Sequence, residues 1–259
     1  MDTRYWGPSG WKFLHLVTFG YNKLDKQKYK EFFETLPFVL PCKFCRSSLV
    51  TYYEKLPVKD ALDSTESLSR WLWKIHGHVN QKLRDQGQTI PVDPTFAQVK
   101  KVYEQRIDYG CTRTEFPGWE FLFSVVENHP LAKGDTSTPM PGAPPLESLV
   151  GASDNELLKW NYLSGERRYA YICKFWSLLP HVMPFQDWQT IWARNAFDFC
   201  ESKGDTKKKL WEIRCAIESE LELLNRTNYR ELCSDLRQHK SGCSKNRRAR
   251  TCRKKKKIA

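Results

Sequence analysis

The stretch "DSTESLSRWLWKIHGHVNQKL" (63–83) sets Leu68, Leu72, Ile75, Val79 and Leu83 four, three, four and four residues apart. That spacing lines one face of an α-helix and cannot serve a strand, whose faces alternate at every second residue. Asp63 or Ser64 stands in place as the N-cap. Shorter rows with the same period precede it. Trp11, Leu14, His15 and Thr18 form one that stops near Gly20, and Tyr29, Phe32, Phe33 and Leu36 form another that stops at Pro37. A third helix is expected from about Pro41, because proline is tolerated in a first turn, running to Pro57. A fifth, shorter one is expected from roughly Thr95 to Ile107. No stretch keeps a period of two for long, so the expected class is all-α, an antiparallel bundle with short connections.

Composition shifts divide the chain. Residues 1–107 are expected as a first helical domain, 108–145 as a connecting segment ending in the linker "TSTPMPGAPP", 146–239 as a second all-α domain, and 240–259 as a basic flexible tail. With 40% hydrophobic residues and ten tryptophans, both domains can bury a core. The net charge of +12 is not spread over the fold. Ten Lys or Arg and no acidic residue lie from Lys240 onward, so residues 1–239 carry 12 − 10 = +2. Nucleic acid is therefore not expected as the main partner, although "KNRRARTCRKKKK" alone is a nucleic-acid-binding or targeting pattern. No run reaches the ~18 apolar residues of a membrane span, and "MDTRYWGPSGW" lacks a secretory signal's pattern. The expectation is a cytoplasmic protein with no membrane contact.

"FFETLPFVLPC" (32–42) aligns without gaps on "FWSLLPHVMPF" (175–185). Phe32, Leu36, Pro37, Val39 and Pro41 match Phe175, Leu179, Pro180, Val182 and Pro184 at an offset of 143, which also sets Cys42 on Phe185 and Cys45 on Trp188. The second domain is either a degenerate copy of the first or a separate unit with a similar helix–proline–helix corner. The sequence leaves both open.

Cys42 and Cys45 stand three apart at the head of the third helix. Residues so spaced share a face at a separation that suits a disulfide. Unpaired N–H groups at a helix start, with Lys43 and Arg46 alongside, favour a thiolate. These are the conditions of an exchange-active pair. A structural bridge would gain little from closing so small a loop. Zinc would need four ligands, and the chain offers neither a second CxxC nor an HxxxH, since His76 and His78 diverge on a helix. No metal is expected. Trp11 and His15 on one helix and His76 and Asn80 on another, with Trp73 and Leu83 on neighbouring positions, could sandwich a flat heteroaromatic ring that takes electrons from the pair. A non-catalytic helical protein with a structural or zinc-holding CxxC and a nucleic-acid-binding tail is the alternative.

"GPSGWKFLH" (7–15), "LPCKFC" (40–45) and "WLWKIHGHVNQKL" (71–83) together resemble the Erv/ALR family of FAD-linked sulfhydryl oxidases, of the type encoded by large DNA viruses. The resemblance covers about the first 106 residues. It implies a bundle that holds FAD, commonly as a homodimer, and oxidation of thiol-containing protein substrates with molecular oxygen reduced to hydrogen peroxide. Cys45 would be the flavin-proximal thiol and Cys42 the one that meets substrate. Gly7, Trp11, His15, Trp73, His76, Val79, Asn80, Lys82, Leu83 and Tyr103 would form the cofactor site. Three positions depart from the family pattern: Gly77 replaces an asparagine, Trp73 a cysteine, and Asp85 a phosphate-binding lysine for which Lys82, Lys100 or Lys101 could substitute. Cys243 and Cys252 are candidates for a shuttle pair in the tail. Cys111, Cys173, Cys200, Cys215 and Cys233 read as small buried hydrophobes.

Overall fold

Caps and prolines fix where the helices begin and end. The computed structural model describes residues 1–110, 115–131, 138–195 and 202–240, and over these the chain is all-α. Helix α1 (Thr3–Phe19) starts at Asp2, whose carboxylate accepts from the N–H of Arg4. Helix α2 (Lys26–Val39) carries Pro37 near its end and is closed by Leu40. Two residues on, Cys42 in an extended conformation is the N-cap of α3 (Lys43–Lys55). Ser64, one of the two expected caps, opens α4 (Thr65–Asp85) by accepting from Ser67 N–H. Helix α5 (Phe96–Tyr109) opens with a full capping box between Thr95 and Gln98.

The expected connecting segment carries a helix of its own, α6 (Trp119–Glu127). Seven of its nine residues are buried, as befits a mostly apolar helix whose two charges are Glu120 and Glu127. Beyond it come α7 (Asp154–Lys159), α8 (Gly165–Val182), α9 (Gln186–Arg194), α10 (Lys203–Glu220) and α11 (Tyr229–Gln238). Helix α8 lies along α2, and α6 packs between α1 and α10. One continuous set of touching buried side chains therefore runs from Phe13 and Leu36 through Phe121 and Phe175 to Ile213 and Leu232. Phe13, Phe32, Phe121 and Phe175 are fully buried, each worth roughly 1.5–3 kcal/mol relative to an exposed position. At the end of α1 a Cβ on Gly20 would come within 2.5 Å of Pro184, so only glycine lets this end meet the corner between α8 and α9.

The cysteines outside the CxxC differ from the expectation. Cys215 is exposed, because the buried face of α10 is set by Leu210, Ile213, Arg214 and Ile217. Cys233 is half-buried, and Cys173 is disulfide-bonded. Cys111, Cys200, Cys243 and Cys252 lie outside the described residues. Among the described residues no helix is long and apolar enough to cross a membrane.

Candidate active site

Helices α1, α3, α4 and α5 converge on a largely apolar cavity of about 570 Å³, a size typical of small-molecule sites. Gly7, Trp11 and His15 line it from α1, one turn apart, with Gly7 offering open space where any other residue would put a Cβ. His76, Val79, Asn80, Lys82 and Leu83 line it from α4, and Tyr103 from α5. Cys45 belongs to the wall and Cys42 does not.

Trp73 is the expected residue that the structure sets apart. Its indole packs on Phe96 with ring centroids 6.0 Å apart and donates to Pro94 O at 2.9 Å, outside the cavity wall. The reason is angular. Leu72, Ile75, His76, Val79 and Leu83 share the inward side of α4, and position 73 turns toward α5. The two aromatic rows also do not stand apart as a sandwich. Trp11 and His76 stack directly on each other at 4.0 Å and 11°, so the space lies beside these rings and not between them.

Several wall residues carried no sequence signal. Trp6, Leu14, Tyr53 and Ile75 look like ordinary core positions, while Gln88 and Ile90 come from the loop after α4. That loop is pinned by Asp93, which accepts from Asn80 Nδ2 at 2.5 Å and pairs with Arg84 at 2.9 Å. Phe121 reaches the cavity from α6, outside the stretch that carries the motifs.

Electrostatics acidify the Cys42 thiol and silence the two histidines. The Cys45 thiol donates to the Cys42 sulfur and holds it well below an ordinary thiol's pKa, helped by the N–H groups of Cys45 and Phe44 and the charge on Arg46, against the effect of burial. Arg46 is itself buried, donating to Leu40 O at 3.0 Å and Asn161 Oδ1 at 3.2 Å. His15 Nε2 and His76 Nδ1 lie 3.3 Å apart. Burial pushes His15 down to about 3, with repulsion from His76 adding to it, and pushes His76 down to about 4 against the pull of Asp93. Both rings are therefore neutral near pH 7, and one N–H bridges them. Of the candidate phosphate lysines, Lys82 is on the wall, with Nζ 2.6 Å from Ser48 Oγ and 3.4 Å from Phe44 O. Lys100 is engaged by Glu66 at 2.8 Å, and neither it nor Lys101 reaches the cavity. Among the described residues no group of three His, Cys, Asp or Glu could hold a metal ion.

Part of the sequence is similar to known proteins. Residues 8–104 match the Erv1/Alr family. A probable FAD-linked sulfhydryl oxidase of Acanthamoeba polyphaga mimivirus is 39% identical over 85 residues, 31% of this chain and 59% of that protein. A putative FAD-linked sulfhydryl oxidase of Invertebrate iridescent virus 3 is 29% identical over 87 residues, 32% of this chain and 59% of that protein. The mitochondrial FAD-linked sulfhydryl oxidase of Saccharomyces cerevisiae is 34% identical over 88 residues, 32% of this chain and 45% of that protein. The chain thus spans between 45% and 59% of the length of these three relatives. No solved structure gives a significant match.

Proposed function

We propose, because residues 8–104 match the Erv1/Alr family, that the protein is an FAD-dependent thiol oxidase that makes disulfides in protein substrates. The observation that carries this reading is the placement of the pair: Cys45 on the cavity wall, and Cys42 beside it, off the wall, with an acidified thiol. The cavity suits a flat, mostly apolar ring system with a few polar edges. His15 Nδ1, Trp6 Nε1 and Tyr53 Oη, all on wall residues, are buried without hydrogen-bond partners, and buried polar atoms left so are costly unless a ligand answers them. Gly7, Trp11, His15, His76, Val79, Asn80, Lys82, Leu83 and Tyr103 would hold the cofactor. Trp73 is not in this set.

The chain's own chemistry is thiol–disulfide exchange. In the oxidised pair, a substrate thiolate attacks the Cys42 sulfur, the Cys42–Cys45 bond breaks, and Cys45 leaves as a thiolate at the cavity wall. A second substrate thiol then attacks the substrate sulfur of the mixed disulfide. Cys42 is expelled as a thiolate, which the N–H groups of Cys45 and Phe44 and the charge on Arg46 favour. The substrate has lost two electrons and two protons, and the pair has gained them. FAD held in the cavity would supply the onward redox chemistry to oxygen, with hydrogen peroxide as the product, and Cys45 on the wall would be the thiol that meets it. Neutral His15 and His76 present polar ring edges without placing positive charge beside the cofactor.

The test is a Cys45→Ser variant. It should purify yellow, with flavin absorbance near ~450 nm, and the flavin should stay oxidised under excess dithiothreitol, whereas the unchanged protein bleaches. Bleaching at the normal rate in the variant would remove Cys45 from the electron path. A colourless unchanged protein that takes up no added FAD would remove the oxidase reading altogether.

A further inference from the structure

The repeat at an offset of 143 residues extends from sequence to backbone. Pro37 and Pro180 are each the third residue from the end of their helix. The C-caps that follow, Leu40 and Met183, are 143 apart and have φ, ψ of −56°, 133° and −61°, 137°. The next N-caps, Cys42 and Phe185, are again 143 apart, at −129°, 123° and −116°, 133°. Helices α3 and α9 begin at Lys43 and Gln186, the same offset once more. The register then drifts: α10 starts five residues earlier (203 against 65 + 143 = 208).

A second observation is independent of that alignment. Helices α2 and α8, equivalent under the offset, pack against each other, and the residues that meet are equivalent too. Phe32 stacks on Phe175 with centroids 5.1 Å apart, and Glu31 pairs with Lys174 at 2.9 Å. Two helices can pack in many relative registers. A contact in which position i faces its own equivalent is what a two-fold axis between two copies produces.

We propose that the chain is an internal pseudo-dimer. Its C-terminal helices are a second copy of the N-terminal unit, set across a pseudo-two-fold axis between α2 and α8, and they cover the face that a separate subunit would otherwise take. The protein is then a monomer. The second copy carries no thiol pair at the position equivalent to Cys42 and Cys45. Phe185 and Trp188 stand at the positions of the two thiols, packed on each other at 4.7 Å, and Phe116 closes on Trp188 at 4.5 Å. With the five-residue drift of α10, Arg214 and Glu218 stand where His76 and Asn80 would be repeated. The homodimer implied by the family resemblance is replaced by this intramolecular pairing. The inference does not depend on the proposed activity.

Two measurements on the full chain decide it. Light scattering after size exclusion at micromolar concentration should give one particle of about the chain mass, 30.5 kDa. A particle of twice that mass, through this or any other face, would overturn the proposal. The axis itself is tested by a charge cycle at partly exposed positions that do not threaten the core. Glu31→Lys and Lys174→Glu should each lower the melting temperature by roughly 1–4 °C, and the double exchange should restore it. Additive losses in the double variant would show that the two positions do not face each other, and the pseudo-axis would be abandoned.

Discussion

At the residue scale, the site depends on a few charges held in unusual states. Arg46 is buried beside the pair and is one of the groups that acidify Cys42. In an Arg46→Met variant, iodoacetamide should alkylate the reduced protein about 3–10-fold more slowly at pH 7, with the difference closing near pH 9 and largely absent in Arg46→Lys. An unchanged rate–pH profile would remove Arg46 from the acidification. The two histidines affect stability as well as the site. Their folded pKa values of about 3 and about 4 lie below the unfolded value of about 6.5. Below pH 6.5 the unfolded chain therefore binds more protons than the folded one, and stability falls as pH falls through that window. The fall should approach ~1.4 kcal/mol per pH unit for each histidine until its folded pKa is reached. Urea unfolding between pH 7 and pH 4.5 should lose much of this slope in His15→Gln, and an equal slope would contradict a buried neutral imidazole there. The cavity residues were legible in the sequence because i, i+4 pairs on α1 and α4 must share a face. Trp73 lies off the cavity wall because one residue of rotation turns it toward α5, and an aromatic residue in a motif does not by itself report its angle.

At the element scale, the periodic and well-capped segments were the readable ones. Ser64 caps as expected, Thr95 at the expected start of α5 is its cap, and Cys42 at the N-cap leaves Cys45 in the first turn of α3, whose N–H groups serve the Cys42 sulfur. Helix α6 escaped notice because in "WEFLFSVV" only Glu120 and Ser124 interrupt the apolar residues and leave no clear stripe to follow, with Gly118 as an N-cap that makes no side-chain bond. Yet α6 supplies Phe121 to the cavity, 3.3 Å from where a Cβ on Gly10 would stand. Close approach also governs the end of α1. Gly20→Ala would drive a methyl into Pro184, whose Cα lies 2.8 Å and whose Cβ lies 2.5 Å from the new atom. Because backbone has to move, the expected cost is about 1–3 kcal/mol, a drop of roughly 2–10 °C in melting temperature. A melt identical to that of the unchanged protein would mean that the two corners are not in contact.

At the scale of the whole molecule, local pattern informs least about how distant segments come together. The offset of 143 residues was visible in eleven aligned letters, but no propensity says that Phe32 rests on Phe175, which takes the register of two packed helices to establish. Nor does composition say that a continuous core passes through the proline-rich break. That continuity has a practical edge for anyone trimming the gene. A polypeptide stopped at residue 107 would keep every recognisable motif and both thiols of the CxxC. It would also lose Phe121 from the cavity wall and strip the covering from Phe32. Such a fragment would present a wet, greasy flank to its neighbours and should clump, however intact its signature looks on paper.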